Sequence, residues 1–365
     1  MSTGGRLRVA LDATPLLGPR TGVGEFCLRA LEQLGRRPDL DVGAFAVSWR
    51  KRYELAGQVP PGVTVLDRPM PARPLHKSWS YLPFPPIEAF IGPVDVVHGT
   101  NFVVPPARRA ATVVTVHDLT VVHFPEMCQP ATLAYPRLVR QAVRRGAWVH
   151  TPSRFVAGEV VELLGVPPER VRAVHHGVAP LPARSPAGAP APGLLPGWAK
   201  RYVLAVGTVE PRKDFPTLVR AFAPVSAGRA DLALVIAGED GWGRAELDAA
   251  VAACPARDQV VRLGRVGDAE RDELVAGATV LAYPSRYEGF GFPALEAMAA
   301  GTAVVTTRCG ALQEVLGDAA CFVDVGDADA LAGALEHLVD DGQARLELSE
   351  RGLAQAAGYT WEASA

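Results

Sequence analysis

Residues 202–238 read YVLAVGTVEPRKDFPTLVRAFAPVSAGRADLALVIAG. The stretch opens on one apolar run, YVLAVG (202–207), and closes on another, LALVIAG (232–238). Between them Leu218, Val219, Phe222 and Val225 recur at helical spacing, which gives a helix one apolar face. A strand apolar on both faces must be covered on both faces, and a helix joining two such strands returns the chain in parallel. The unit is strand, crossover helix, strand, the building element of a doubly wound α/β sheet.

The same alternation extends outward. Downstream, strands are predicted at VVRLG (260–264), VLAYPS (280–285) and TAVVTT (302–307). Upstream they fall at LRVALDA (7–13), VGAFAV (42–47), VDVVH (94–98), TVVTVHD (112–118) and WVHTPS (148–153). Val23, Phe26, Cys27, Ala30, Leu31 and Leu34 mark one face of an intervening helix. The two series are separated by APLPARSPAGAPAPGLLPGW (179–198), which has no apolar periodicity and reads as a semi-rigid linker. The expected architecture is two Rossmann-like lobes facing a central cleft: a first domain over 1–178, a linker over 179–199 and a second domain over 200–365.

Composition sets the class. The chain has 365 residues, 48% hydrophobic and 21% charged, with 37 Lys+Arg against 39 Asp+Glu. That excludes a disordered chain, a coiled coil or a collagen-like fibre, and a net charge of −2 offers no overall basic field for nucleic acid. Charge is unevenly divided, with 21 Lys+Arg and 14 Asp+Glu in residues 1–180 and 16 and 25 in the remainder. Either the two lobes attract each other, or the basic one meets an anionic partner or membrane surface. Five scattered cysteines without a Cys-x-x-Cys pattern suit a reducing cytoplasm. No run reaches the about 18 apolar residues of a membrane span, and the apolar stretch of MSTGGRLRVALDATPLL is too short, and already broken by Asp12, for a signal peptide. The expectation is a soluble cytoplasmic protein.

In open α/β sheets ligands bind beyond the carboxyl ends of the strands. Beyond YVLAVG lie Arg212 and Lys213, adjacent cations suited to an anion such as a diphosphate, or else an ordinary solvated turn. Beyond VLAYPS comes SRYEGFGFPALEAM (285–298). Gly289 and Gly291 allow close backbone approach, and Pro293 suits the first turn of a helix whose N-terminus attracts anions. Glu288 falls before that helix and Glu296 about one turn inside it, so the two acids do not share one helical face. The residues alone leave Glu296 either a ligand contact or a buried acid satisfied by backbone N–H groups.

The Glu288-x7-Glu296 pair within YEGFGFPALEAMAAGTAVV (287–305), preceded by GTVEPRKD (207–214), resembles the family 4 retaining glycosyltransferases of GT-B fold. TGVGEF (21–26), HGTNFVVP (98–105), TVHDLT (115–120), TPSRF (151–155), HHGV (175–178) and AGEDGWG (237–243) extend the resemblance over nearly the whole chain. It implies that Arg212 and Lys213 grip a donor diphosphate beside the Gly207 turn and stabilise it as it leaves. Glu288 would bind donor-sugar hydroxyls and Glu296 the ribose, with Gly289, Phe290 and Gly291 supplying backbone contacts and Val266 lying near the base. In the first lobe His117 would sit near the transferred sugar, and the Gly22-Val23-Gly24 turn would face phosphates and acceptor. The resemblance further implies front-face reaction, with no metal or cofactor and no carboxylate nucleophile. The GTxEPRK form is similar to bacterial mannosyltransferases of polysaccharide assembly, which makes GDP-mannose the first expected donor and a glycan or lipid-linked acceptor the second substrate. Two departures stand out. Thr208 follows Gly207 where many relatives have Arg, and relatives continue past the position of YTWEASA (359–365) into a helix that crosses back to the first lobe.

Other features read more simply. Asp39-Leu40-Asp41 falls in a turn before a strand, and Asp327 of Asp327-Ala328-Asp329 suits a helix N-cap rather than a metal site. His175 and His176, taken as adjacent on a strand, would point to opposite faces. The Gly238–Gly243 loop lacks the spacing of a dinucleotide fingerprint. PMPARPLHKSWSYLPFPPIEAFIGP (69–93) is either a packed surface loop or a lip carrying Trp79, Tyr81 and Phe84 toward an acceptor or membrane. Arg137, Arg140 and Arg144 share one face of a helix, either solvated or against anionic lipid. Two rival functions remain, a glycosyl phosphorylase of the same fold and a non-catalytic nucleotide-sugar-binding scaffold.

Overall fold

The computed structural model describes residues 5–18, 21–179, 181 and 193–365, so most of the expected linker lies outside the described residues. The chain forms two compact units, one of residues 1–177 with 361–365 and one of residues 178–360.

The first unit holds a seven-stranded, wholly parallel sheet. Its strands are β1 (Leu7–Asp12), β2 (Leu40–Phe45), β3 (Thr64–Val65), β4 (Val96–Gly99), β5 (Ala111–Thr115), β6 (Trp148–Thr151) and β7 (Val171–Ala173), ordered β3-β2-β1-β4-β5-β6-β7. Side chains alternate across a strand, and β1 shows the consequence: Val9 and Leu11 enter one buried cluster while Ala10 enters another. The helix Gly22–Gly35 buries Phe26, Cys27 and Leu31, on the face that the periodicity marked.

The second unit holds a six-stranded parallel sheet of β8 (Arg201–Val206), β9 (Leu232–Ala237), β10 (Val260–Gly264), β11 (Val280–Tyr283), β12 (Val304–Thr307) and β13 (Cys321–Val323), ordered β10-β9-β8-β11-β12-β13. Leu218, Val219, Phe222 and Val225 of the helix Phe215–Ser226 are buried against Val203, Ala205, Leu234 and Ile236. In both sheets the winding direction reverses beside the first strand, between β1 and β4 and between β8 and β11. The crevice at such a reversal is where a doubly wound sheet binds ligands.

Some expectations need correction. β3, β7 and β13 escaped the sequence reading because two- or three-residue edge strands show no measurable periodicity. β7 ends at Ala173, so His175 and His176 are not on a strand and the alternating-face reading does not apply. Gly22, Val23 and Gly24 do not form a turn; they are the first residues of the helix Gly22–Gly35, behind Thr21 as its N-cap. The return to the first unit is made by the short helix Trp361–Ser364, whose Trp361 ring stacks on His176 at 5.9 Å.

Candidate functional site

The second unit gathers charge at the reversal of its sheet. After β8 the chain turns at Gly207 (φ 141°), where a Cβ would stand 3.4 Å from Lys213 Cε. It then forms a 3-10 turn over Pro211–Lys213 and enters the helix Phe215–Ser226. After β11 a loop through Glu288 reaches Gly291, whose left-handed backbone (φ 96°) is the N-cap of the helix Phe292–Ala299, with proline in the first turn. Two hydrogen bonds tie the loops together: Arg286 N donates to Arg212 O at 2.8 Å, and the Arg212 side chain donates through Nη1 to Tyr287 O at 2.9 Å.

Glu288 is the centre of this arrangement. Its Oε1 accepts from Lys213 Nζ at 2.7 Å and its Oε2 lies 2.8 Å from Arg212 Nη1. Lys213 also donates to the Tyr283 hydroxyl at 2.6 Å, and Arg212 Nη2 to Glu210 at 2.6 Å. Lys213 and Glu288 are each only 6% exposed. Burial alone would raise the Glu288 carboxyl, but the charges of Arg212 and Lys213 override it and hold the group at about 2. Burial lowers the Lys213 ammonium, with Glu288 opposing the shift, and raises the Tyr283 phenol well above its usual range. The result is a dry, ionised constellation in which positive and negative groups are interleaved.

The Glu288 peptide is fixed from behind. Ala311 N donates to Glu288 O at 2.8 Å, and a Cβ at Gly310 (φ 53°) would collide with that same carbonyl oxygen. A collision with backbone cannot be relieved by a rotamer change. Gly310→Ala is therefore expected to cost about 2–4 kcal/mol of stability and to displace the Glu288 peptide, read as a lower melting temperature in thermal unfolding.

Glu296 sits on the Phe292–Ala299 helix, partly buried, with Arg271 Nη2 4.0 Å away. Gly289 and Phe290 are buried in the loop beside Glu288, and Val266 lies half-buried in the loop after β10. The second unit thus assembles Gly207, Arg212, Lys213, Glu288, Gly289, Phe290 and Gly291 at one reversal point, with Glu296 on the helix that starts there. The sequence reading missed Glu210, Tyr283, Arg271 and Gly310. Glu210 stood within the quoted loop, whereas Tyr283 looked like an ordinary strand residue.

His117, Gly22 and Gly24 belong to the first unit. His117 Nε2 lies 2.8 Å from Thr100 O, and its ring centre is 5.4 Å from that of Phe26. Around Phe26 also stand His98, His150 and His176, and Thr115 Oγ1 bridges His98 Nε2 (2.7 Å) and His150 Nδ1 (3.0 Å). Burial lowers all four imidazoles, to about 3 for His98 and about 4 for His150. No sequence signal revealed this group, because its members come from four different segments. The two Asp-x-Asp strings are engaged elsewhere: Asp327 caps the Ala328–Asp340 helix through Ala330 N at 2.9 Å, and Asp39 pairs with Arg37 at 2.8 Å.

Comparison with known proteins matches this geometry to a family. Residues 20–180 match the model "Glycosyltransferase Family 4", and residues 197–355 match "Glycosyl transferases group 1". The O-antigen chain mannosyltransferase B of Escherichia coli is 32% identical over 278 residues, 73% of this chain and 71% of that protein. A D-inositol 3-phosphate glycosyltransferase of Acidothermus cellulolyticus is 28% identical over an alignment covering 97% of this chain and 86% of that one. Among solved structures, sucrose-phosphate synthase from Thermosynechococcus elongatus superposes with a TM-score of 0.74 at 21% identity, covering 98% of this chain and 96% of that one. Anabaena HepE in complex with UDP-glucose gives 0.73 at 18% identity, with the same coverages. Two parallel-sheet units with these matches along both make the chain a glycosyltransferase of GT-B fold that belongs to glycosyltransferase family 4.

Proposed function

We propose that the protein is a retaining, metal-independent hexosyltransferase that moves mannose from GDP-mannose to a glycan or lipid-linked acceptor, working in the cytoplasm at the face of an anionic membrane. The observation that carries the reaction type is Glu288 held ionised between Arg212 and Lys213 at the start of the Phe292–Ala299 helix. Mannose as the sugar is supported by relatives named as mannosyltransferases, among them the phosphatidyl-myo-inositol mannosyltransferase of Mycolicibacterium smegmatis, 36% identical over 174 residues, 46% of this chain and 44% of that protein.

Breaking a glycosyl–phosphate bond leaves negative charge on the diphosphate and positive charge at the anomeric carbon. Fixed cations and helix N–H groups at the leaving group lower that barrier without reorganising. Lys213 commits two of its three N–H groups to Tyr283 and Glu288, and a phosphate oxygen would take the third. A carboxylate at about 2, already shared by two cations, is a poor nucleophile and a poor base. Glu288 then binds sugar hydroxyls. The acceptor oxygen bonds to the anomeric carbon on the face that the diphosphate leaves, and the acceptor proton passes to the departing phosphate oxygen.

The test is donor binding and slow donor hydrolysis across GDP- and UDP-sugars with EDTA present, using Lys213→Ala as the comparison. Saturable, EDTA-resistant turnover of GDP-mannose, lost in the variant, is the expected outcome. Sensitivity to EDTA would overturn metal independence, preference for another donor would overturn mannose, and sugar-1-phosphate formed without nucleotide would show a phosphorylase.

A further inference from the structure

The first unit carries an exposed apolar tip that the reaction chemistry leaves unused. After the helix Ala72–Trp79, the side chains of Tyr81, Leu82 and Phe84 stand 69%, 59% and 67% exposed. Trp79 does not share that role: its ring is buried and its Nε1 donates to Pro85 O at 2.9 Å, contrary to the lip reading of the sequence. The tip is nevertheless held in place. Gln141 Nε2 donates to Ser80 O at 2.9 Å and Arg145 Nη2 to Trp79 O at 3.1 Å. The Arg137 guanidinium lies 5.3 Å over the Tyr81 ring. These bonds join two segments about sixty positions apart in the chain, which the sequence showed only as a Pro-rich stretch and a separate arginine helix.

The joined surface is basic. Arg137, Arg140 and Arg144 of the helix Tyr135–Arg144 are exposed, as are Arg73 and Lys77 beside the tip. Neither residues 70–84 nor residues 129–148 include an Asp or Glu. Three exposed apolar side chains, with Arg137 over the Tyr81 ring and further exposed cations on the same two acid-free segments, match the boundary of a bilayer, where acyl chains lie beneath anionic headgroups. A second copy of the chain would bring the same cations face to face and be repelled.

We propose that Tyr81, Leu82 and Phe84 enter the headgroup region of an anionic lipid bilayer while Arg137, Arg144 and their basic neighbours contact its phosphates. The inference deepens the membrane-facing reading above, and it is independent of the donor and sugar assigned to the second unit.

Co-sedimentation of the full chain with phosphatidylcholine vesicles, with and without about 30% phosphatidylglycerol, tests it. Wild type is expected to bind the anionic vesicles at least about tenfold more tightly, with the difference removed by high salt. Tyr81→Ser with Phe84→Ser should weaken binding by about tenfold or more, since both rings lose their apolar burial. Arg137→Gln with Arg144→Gln should erase the preference for anionic lipid. Equal binding to both vesicle types, or a Tyr81/Phe84 double variant that sediments like wild type, would overturn the proposal. So would a double variant that turns a dimer into a monomer, since the surface would then be a self-interface. Donor hydrolysis measured without vesicles separates the two readings: vesicle binding without turnover leaves this surface standing, and turnover without vesicle binding leaves only the transferase.

Discussion

Lys213→Ala is expected to lower donor turnover by about 10²–10³-fold, the range seen when one fixed group opposite a developing negative charge is removed. The same change should cost about 1–3 kcal/mol of stability, because Glu288 Oε1 and the Tyr283 hydroxyl lose a donor that nothing replaces in a buried site. The Glu288 carboxyl would keep only Arg212 as a cationic partner and rise from about 2. Tyr283→Phe is the informative companion. It removes one acceptor and leaves the cation in place, so its effect on turnover should be far smaller than that of Lys213→Ala. Steady-state donor hydrolysis and thermal unfolding of both variants measure this. Turnover in Lys213→Ala within about twofold of wild type would place the diphosphate elsewhere.

Acid should unfold the first unit well before it discharges the second unit's ion pairs. Burial depresses His98 to about 3 and His150 to about 4 in the folded chain, with mutual repulsion among the imidazoles adding to the shift. An unfolded imidazole titrates near 6.5. Below that value the unfolded chain takes up protons that the folded chain refuses, so acidification favours unfolding. The stabilisation is complete above about pH 6.5 and is lost as pH falls toward 4 and then 3. At pH 4.5 the linkage amounts to roughly 2–3 kcal/mol for each of these two histidines. Urea unfolding followed by tryptophan fluorescence should show a clear drop in midpoint between pH 7 and pH 4.5. His98→Gln with His150→Gln should flatten that dependence. An unchanged midpoint in wild type would mean that the histidines are already charged in the folded protein. Glu288 works in a lower window: its depressed carboxyl stabilises the fold above about 4.5, and that contribution disappears only as pH approaches 2.

Much was legible in the order of residues along the chain. A buried parallel strand must be apolar throughout and its covering helix apolar on one side. YVLAVG, LALVIAG and the stripe from Leu218 to Val225 therefore announced the second sheet, and LRVALDA and the stripe from Val23 to Leu34 announced the first. Ligand sites of such sheets lie just past strand ends, which singled out Arg212, Lys213 and Glu288 without coordinates. Pro293 likewise followed from local backbone rules as the opening turn of a helix, whereas Gly291 was marked only for close backbone approach and its left-handed φ of 96° came from the structure.

Pairing between segments far apart in the chain was decided only by the tertiary structure. That Glu288 lies between Arg212 and Lys213, that the Tyr283 hydroxyl accepts a hydrogen bond from Lys213, and that Ala311 N–H holds the Glu288 carbonyl beside Gly310 depend on β8 and β11 being neighbours with β12 beside them. The burial of Trp79, the exposure of Leu82 and the gathering of four histidines around Phe26 have the same origin. Periodicity and turn chemistry are local, acting over a few residues, so sequence alone marked the long strands and helices, whereas the two- and three-residue edge strands and the helical start at Gly22 escaped it. Side-chain charge states and contacts depend on which strand ends the winding brings within hydrogen-bond reach, and that is a property of the folded sheet.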